Sequence, residues 1–107
     1  MNWQVFITDT AKRDLREIVR FLFDQSGDLE TAAAFVSELQ KQRLQLEEFP
    51  ERGALPRDYV LRALGYRYLE YKSYLIFYVT DASEHRVYIH AFFHEKQDYF
   101  RYMRKRI

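Results

Sequence analysis

The 107-residue sequence contains no cysteine, which excludes a disulfide scaffold and a thiolate metal site and is typical of a cytoplasmic protein. It also lacks any apolar run that approaches the ~20 residues needed to cross a bilayer, so we expect no membrane association. The opening residues MNWQVFIT have neither the basic start nor the long apolar stretch of a signal peptide.

Glycine is scarce as well, and Gly27, Gly53 and Gly65 lie too far apart to form a glycine-rich phosphate loop. His90 and His94 are four residues apart, but they lie in and directly after a predicted strand, where this spacing does not make the chelating pair that it makes on a helix. The sequence therefore predicts no metal site and no cofactor.

Aromatic residues, in contrast, are abundant. They make up 18% of the chain, with nine Tyr and nine Phe, which is more than a core of this size needs. We therefore expect several of them to face a groove or a partner. The length and the 48% hydrophobic content predict a single globular domain over residues 1–107.

The first half of the chain has the pattern of a strand followed by two helices. Trp3, Val5 and Ile7 alternate with other residues, and Thr8 is a good N-cap for an amphipathic helix that runs to Gly27. Asp28 can cap a second helix, which must end near Pro50. The short break between the helices predicts an antiparallel helical hairpin, whose outer side is either solvated or a target-binding surface.

The second half has the pattern of β-structure. Tyr66–Tyr71, Tyr74–Val79 and Arg86–Phe93 are rich in aromatic and branched residues, and Tyr59–Ala63 is a further strand candidate. We therefore predict an α+β fold, in which the helical hairpin packs on one face of a three- to four-stranded, mainly antiparallel sheet. The basic last residues, RYMRKRI, predict a short tail or helix that meets an anionic or protein partner.

Two kinds of site remain open from these residues. Arg62 and Arg67 could clamp phosphate beside stacking tyrosines, and His94, at a strand end, could act as a general acid or base. Otherwise the tyrosines form core on one side of the sheet and an aromatic surface for a protein partner on the other, and His94 bonds only to backbone or solvent.

The ordered motifs TAKRDLREIVRFL, LEEFPERG, GYRYLEYKSYLIFYV and HEKQDY resemble those of the RelE/ParE superfamily of bacterial toxins over nearly the whole chain. The resemblance implies the toxin of a type II toxin–antitoxin pair, which inhibits growth and stabilises plasmids. It implies a cognate antitoxin as partner, which neutralises the toxin and contacts operator DNA on behalf of the complex.

The superfamily contains two mechanisms. RelE-like members are metal-independent nucleases that cut mRNA on the ribosome, and that resemblance would assign catalysis to Arg67, His94 and Tyr99, with Lys96 as a substitute for His94. However, Leu75 stands where those enzymes have a key arginine, and leucine cannot stabilise phosphorane charge.

ParE-like members are non-enzymatic and inhibit DNA gyrase, and the long first helix and the YLIFYV strand favour this branch. The predicted contacts with target or antitoxin are Arg62, Tyr71, Tyr74, Tyr78, Arg104, Lys105 and Arg106. An interaction module that has lost its toxicity is the third hypothesis.

Overall fold

The computed structural model describes residues 2–107, which form four strands and four helices. In chain order the elements are β1 (Gln4–Ile7), α1 (Asp9–Ser26), α2 (Leu29–Glu48), α3 (Tyr59–Ala63), β2 (Tyr66–Tyr71), β3 (Tyr74–Asp81), β4 (Arg86–His94) and α4 (Tyr99–Arg104). None of the helices in this part of the chain is long and apolar enough to cross a membrane.

Local capping explains where the two long helices begin and end. The Thr8 hydroxyl accepts a hydrogen bond from the Ala11 backbone N–H at 3.2 Å and starts α1. Gly27 ends it with a φ of 72°, a left-handed conformation that a residue with a Cβ adopts only under strain. The Asp28 carboxylate then accepts from the N–H groups of Glu30 and Thr31 and starts α2. The predicted helical hairpin is confirmed.

The strands form one sheet in the order β1-β4-β3-β2. The β2–β3 and β3–β4 pairs are antiparallel, whereas β1 lies parallel to β4, with Gln4 opposite Arg86. Lys72 makes the tight β2–β3 turn with a φ of 53°. The outer edge of β2 is partly covered by Ala54, which exchanges two backbone hydrogen bonds of 2.9 Å with Tyr68. The predicted α+β architecture is therefore confirmed.

The prediction of a strand at Tyr59–Ala63 was wrong, because this segment is helix α3. The Asp58 carboxylate caps it by accepting from the Leu61 N–H at 3.0 Å. Branched and aromatic side chains raise strand propensity, but in so short a segment a cap and a few tertiary contacts decide the conformation.

Helices cover both faces of the sheet, and a separate hydrophobic core lies between each face and its helices. The hairpin-side core lies under α1 and α2; its buried members are Val5, Ala11, Leu39, Leu46, Leu69, Ile76, Tyr78, Val87, Ile89 and Phe92. The second core lies on the opposite face, under α3 and α4; its buried members are Leu61, Tyr66, Phe77, Ala91, Phe93 and Met103. Many of the aromatic residues that exceeded the needs of a single core are used in this second one.

Candidate functional site

The three side chains of the nuclease hypothesis lie on different parts of the sheet. Arg67 lies on the same side of β2 as Leu69, toward the hairpin, and its Nη1 donates to the Gly53 carbonyl oxygen at 2.9 Å. The Tyr99 ring packs 5.0 Å from the Phe77 ring in the second core, on the opposite face. The structure therefore does not bring Arg67 and Tyr99 together.

His94 lies at the far end of the sheet from Arg67. It pairs with Tyr74, which pairs with Tyr71, and Tyr71 is four residues along β2 from Arg67. At 3.3 Å per residue this is about 13 Å along the strand, and strand β3 lies between them. The His94 Nδ1 accepts a hydrogen bond from the Lys96 backbone N–H at 3.1 Å. Leu75, at the position of the expected arginine, packs against the second core.

Of the three tyrosines predicted to bind a partner, two lie in the interior. Tyr78 is 0% exposed, so the prediction that it lies on a contact surface is wrong. Tyr74 is 8% exposed and lines a cleft beside α1, so its contact with a partner stays a prediction. The Tyr78 hydroxyl accepts from the Gly53 N–H at 2.8 Å, and burial raises its pKa. Tyr71 is half-buried and packs edge-on against Phe35, with the Lys72 ammonium 5.6 Å from its ring.

The predicted cationic residues have different environments. The Arg62 guanidinium donates twice to the Pro56 carbonyl oxygen, at 2.9 and 3.1 Å. Arg104 lies 4.2 Å from the centre of the Phe100 ring, and Lys105 is exposed. Arg106 is the exception, because it is half-buried and paired with an acid.

Arg106 and Asp14 form a bidentate ion pair that ties the end of the chain to α1. Nη1 donates to Oδ2 at 2.7 Å and Nη2 to Oδ1 at 2.9 Å. The Phe92 N–H also donates to Asp14, at 3.1 Å, and Arg106 donates to the His90 carbonyl oxygen at 3.2 Å. The sequence interpretation missed this pair. The one signal in the sequence was Asp14, an acidic residue that lies between Ala11 and Ile18 on the face of α1 that points toward the core.

A bulge in β4 places His90 beside this ion pair. Ala91 lies opposite Phe77 and Ile89 opposite Tyr78, so His90 is the extra residue. Its Nδ1 lies 2.9 Å from the Tyr66 hydroxyl oxygen. Burial, and secondarily the Arg106 charge, lower the pKa of His90.

The His90 environment predicts a pH dependence of stability. The unfolded chain takes up a proton near the ordinary histidine pKa of 6.5, whereas the folded chain resists protonation. The contribution of His90 is therefore complete above pH 6.5 and is lost as the pH falls through and below that value. Urea unfolding between pH 7.5 and 5 should show this decline in the wild type and a smaller decline in His90→Gln. His85→Gln, which replaces an exposed histidine, is the control; an equal decline in His90→Gln and the wild type would contradict the assignment.

Two clefts of about 500 Å³ border α1. The α4 cleft, of about 520 Å³, lies between α1, the end of β4 and α4; its lining includes Phe21, His94, Gln97 and Tyr102. The α1–α2 groove, of about 510 Å³, is more apolar; it is lined by Leu15, Arg16, Val19, Arg20, Phe23, Leu29, Ala32 and Val36. Across residues 2–107, no three His, Asp or Glu side chains converge in a metal-binding arrangement.

Comparisons with known proteins agree with this geometry. A chain of the Mycobacterium tuberculosis RelBE2 toxin–antitoxin complex is 22% identical and has a TM-score of 0.62, and the match covers 91% of this chain and 95% of that one. A chain of the chromosomal ParDE system of P. aeruginosa is 19% identical with a TM-score of 0.68, covering 86% of this chain and 95% of its own. These likenesses establish the fold, and no curated protein sequence matches. The family model for the ParE toxin of the type II toxin–antitoxin system parDE matches residues 5–99. The chain therefore belongs to the ParE toxin family.

Proposed function

We propose that this type II toxin arrests growth by binding DNA gyrase and that it does so without cleaving RNA. One observation supports this choice over the nuclease: Arg67 and Tyr99 lie on opposite faces of the sheet. A general base and a charge stabiliser must both come within about 3 Å of the reacting atoms, and these side chains have no common point of approach. Leu75 stands where members of the nuclease branch have an arginine, so it supplies no positive charge at that position.

We further propose that a cognate antitoxin occupies the α1–α2 groove. Phe23, Leu29 and Val36 are exposed along it, so a partner that covered them would bury apolar surface. Arg16 and Arg20 border the groove and form no ion pair within residues 2–107. An amphipathic helix with an apolar stripe and acidic flanks fits this arrangement. Operator DNA then contacts the antitoxin and not this chain.

Ribosome-dependent cleavage of mRNA is the second candidate. One observation favours it: His94 lines the α4 cleft together with Gln97 and Tyr102, so a histidine capable of proton transfer faces open space. This cleft also contains Glu17, which forms no ion pair within residues 2–107 and whose negative charge opposes the entry of a phosphate backbone. The charge of Asp14, the other acid of the cleft, is offset by Arg106. The unpaired Glu17 makes this candidate the weaker one.

The two candidates separate when the toxin is expressed from a tight promoter without its antitoxin. The gyrase proposal predicts filamentous cells with induced DNA repair, and inhibition of supercoiling when the purified chain is added to purified gyrase. His94→Ala and Tyr99→Phe should retain this inhibition.

Message cut at codons in a purified translation system, and loss of that cutting in His94→Ala, would instead establish the nuclease. Normal growth during expression would favour the non-toxic module.

A further inference from the structure

A surface helix normally turns its apolar side chains toward the core, but helix α3 leaves most of its apolar side chains exposed. It buries a single large side chain, Leu61, in the second core, while Tyr59 is 78% exposed and Leu64 50% exposed. Val60 and Leu55 are exposed as well. We call the four exposed residues, Leu55, Tyr59, Val60 and Leu64, the α3 knob. Four exposed apolar side chains within the ten residues from Leu55 to Leu64 favour a protein contact at this segment.

The α3 knob is held in place by bonds within its own segment. Asp58 caps the helix, and the Leu64 N–H donates to the Val60 carbonyl oxygen at 3.0 Å. The Arg62 guanidinium bonds to the Pro56 carbonyl oxygen on the preceding loop. The surface is therefore ordered before any partner binds, which reduces the entropy lost on association.

The border of the α3 knob is cationic. Arg57 and Arg62 lie within the segment, and the ion pairs found among residues 2–107 involve neither of them. The one acid here, Asp58, points its carboxylate at the backbone of α3. Tyr and Arg are the residue types enriched at the energetic centres of protein interfaces, and this border favours an acidic partner.

The shape and position of the α3 knob indicate what kind of partner it fits. Neither the α4 cleft nor the α1–α2 groove is lined by residues 55–64, and Tyr59 projects with most of its surface free. A disordered antitoxin segment needs a groove, whereas a projecting apolar side chain fits a pocket on a folded protein. The knob and the α1–α2 groove also lie on opposite sides of the sheet, so the two surfaces are separate.

We infer that the α3 knob is the surface with which this toxin contacts its target, a folded protein that presents an apolar pocket with an acidic rim. The antitoxin groove is elsewhere, so the antitoxin does not use the knob as its main anchor. This inference rests on the proposed function, because it assigns a target surface to a toxin.

The test is the double variant Tyr59→Ser/Leu64→Ser, with Leu44→Ser as a control at an exposed leucine of α2 (63% exposed). Loss of hot-spot side chains should raise the concentration needed to inhibit purified gyrase by roughly 30-fold and restore growth during expression. Leu44→Ser should behave as wild type. Both proteins should keep wild-type melting temperatures and wild-type affinity for purified antitoxin.

A charge reversal provides an independent variant. Arg57→Glu should weaken inhibition, whereas Arg13→Glu on α1, which changes the net charge equally, should not. Val19→Asp in the α1–α2 groove should show the opposite result from the knob variants, with lost antitoxin affinity and retained toxicity.

The possible failures are distinguishable. If the wild type arrests growth and the double variant arrests it equally well, the inference is wrong while the proposed function stands. It is also wrong if the double variant loses antitoxin binding but stays toxic, or if Arg57→Glu mainly abolishes binding to a fluorescent DNA duplex without gyrase. If the wild type arrests growth without inhibiting gyrase, the gyrase proposal fails. Growth during expression of the double variant and of Leu44→Ser then decides whether the α3 knob contacts the target. A wild type that leaves growth unaffected contradicts both.

Discussion

Arg106→Ala should lower the free energy of unfolding by about 2 to 3 kcal/mol, because it leaves the Asp14 carboxylate without its cation in a largely buried position. The side chains of the pair are only 21% and 15% exposed, so water replaces the lost bonds incompletely. The figure lies at or below the lower end of the range for fully buried pairs because some solvent does reach it. Equilibrium urea unfolding measures the change.

The chain offers a matched control for this ion pair. Lys41, whose side chain is 76% exposed, forms a looser pair at 3.8 Å with the 23% exposed Glu38, and Lys41→Ala should change stability by less than about 0.5 kcal/mol. Asp14→Ala and the double variant Asp14→Ala/Arg106→Ala complete a cycle that isolates the coupling between the two groups. A coupling no larger than that of the Lys41–Glu38 pair would show that Arg106 does not anchor the chain end through Asp14.

Gly53→Ala should destabilise the protein by about 3 kcal/mol, because there is no room for a side chain at this position. An added Cβ would lie 2.6 Å from the Tyr78 hydroxyl oxygen, 2.7 Å from its Cε1 and 2.9 Å from the Tyr68 carbonyl oxygen. The Tyr68 backbone cannot easily retreat, since its two bonds to Ala54 hold it in place. Any shift of Tyr78 would also weaken the buried bond from the Gly53 N–H.

Gly27→Ala is the natural comparison. Nothing lies within 4 Å of a Cβ at Gly27, and the only cost is the left-handed φ of 72°, about 1 kcal/mol. Adding Tyr78→Phe to Gly53→Ala removes one of the three close contacts but also the acceptor of the Gly53 N–H bond, so it should recover at most a small part of the loss. Thermal melts of the four proteins suffice, and equal melting temperatures for Gly53→Ala and Gly27→Ala would contradict the steric argument.

The parts of the fold that the sequence predicted are those set by neighbouring residues. Thr8, Gly27 and Asp28 set both ends of α1 and the start of α2 through bonds that span two to four positions. The β2–β3 hairpin is equally local. Strand alternation predicts that Tyr74 and Tyr78 point to defined faces of a sheet, but it does not indicate that a second layer covers the face away from the hairpin.

The missed features depend on distant contacts or contradict the usual apolar pattern. Asp14 and Arg106 are 92 positions apart, and no short motif connects them. Helix α3 exposes most of its apolar residues, so periodicity cannot find it. For the same reason the sequence singled out Arg62 as a contact but missed the α3 knob around it. The α1–α2 groove appears only when the two helices are placed side by side.

The parallel pairing of β1 with β4 has a consequence for biosynthesis. Because Gln4 in β1 pairs with Arg86 in β4, the sheet can close only after β4 has emerged from the ribosome. The α1–α2 groove, in contrast, is built from residues 15–36 and can form early. On the assignments proposed above, the nascent chain presents its antitoxin-binding groove before the toxin fold is complete. This order favours binding of the antitoxin during translation.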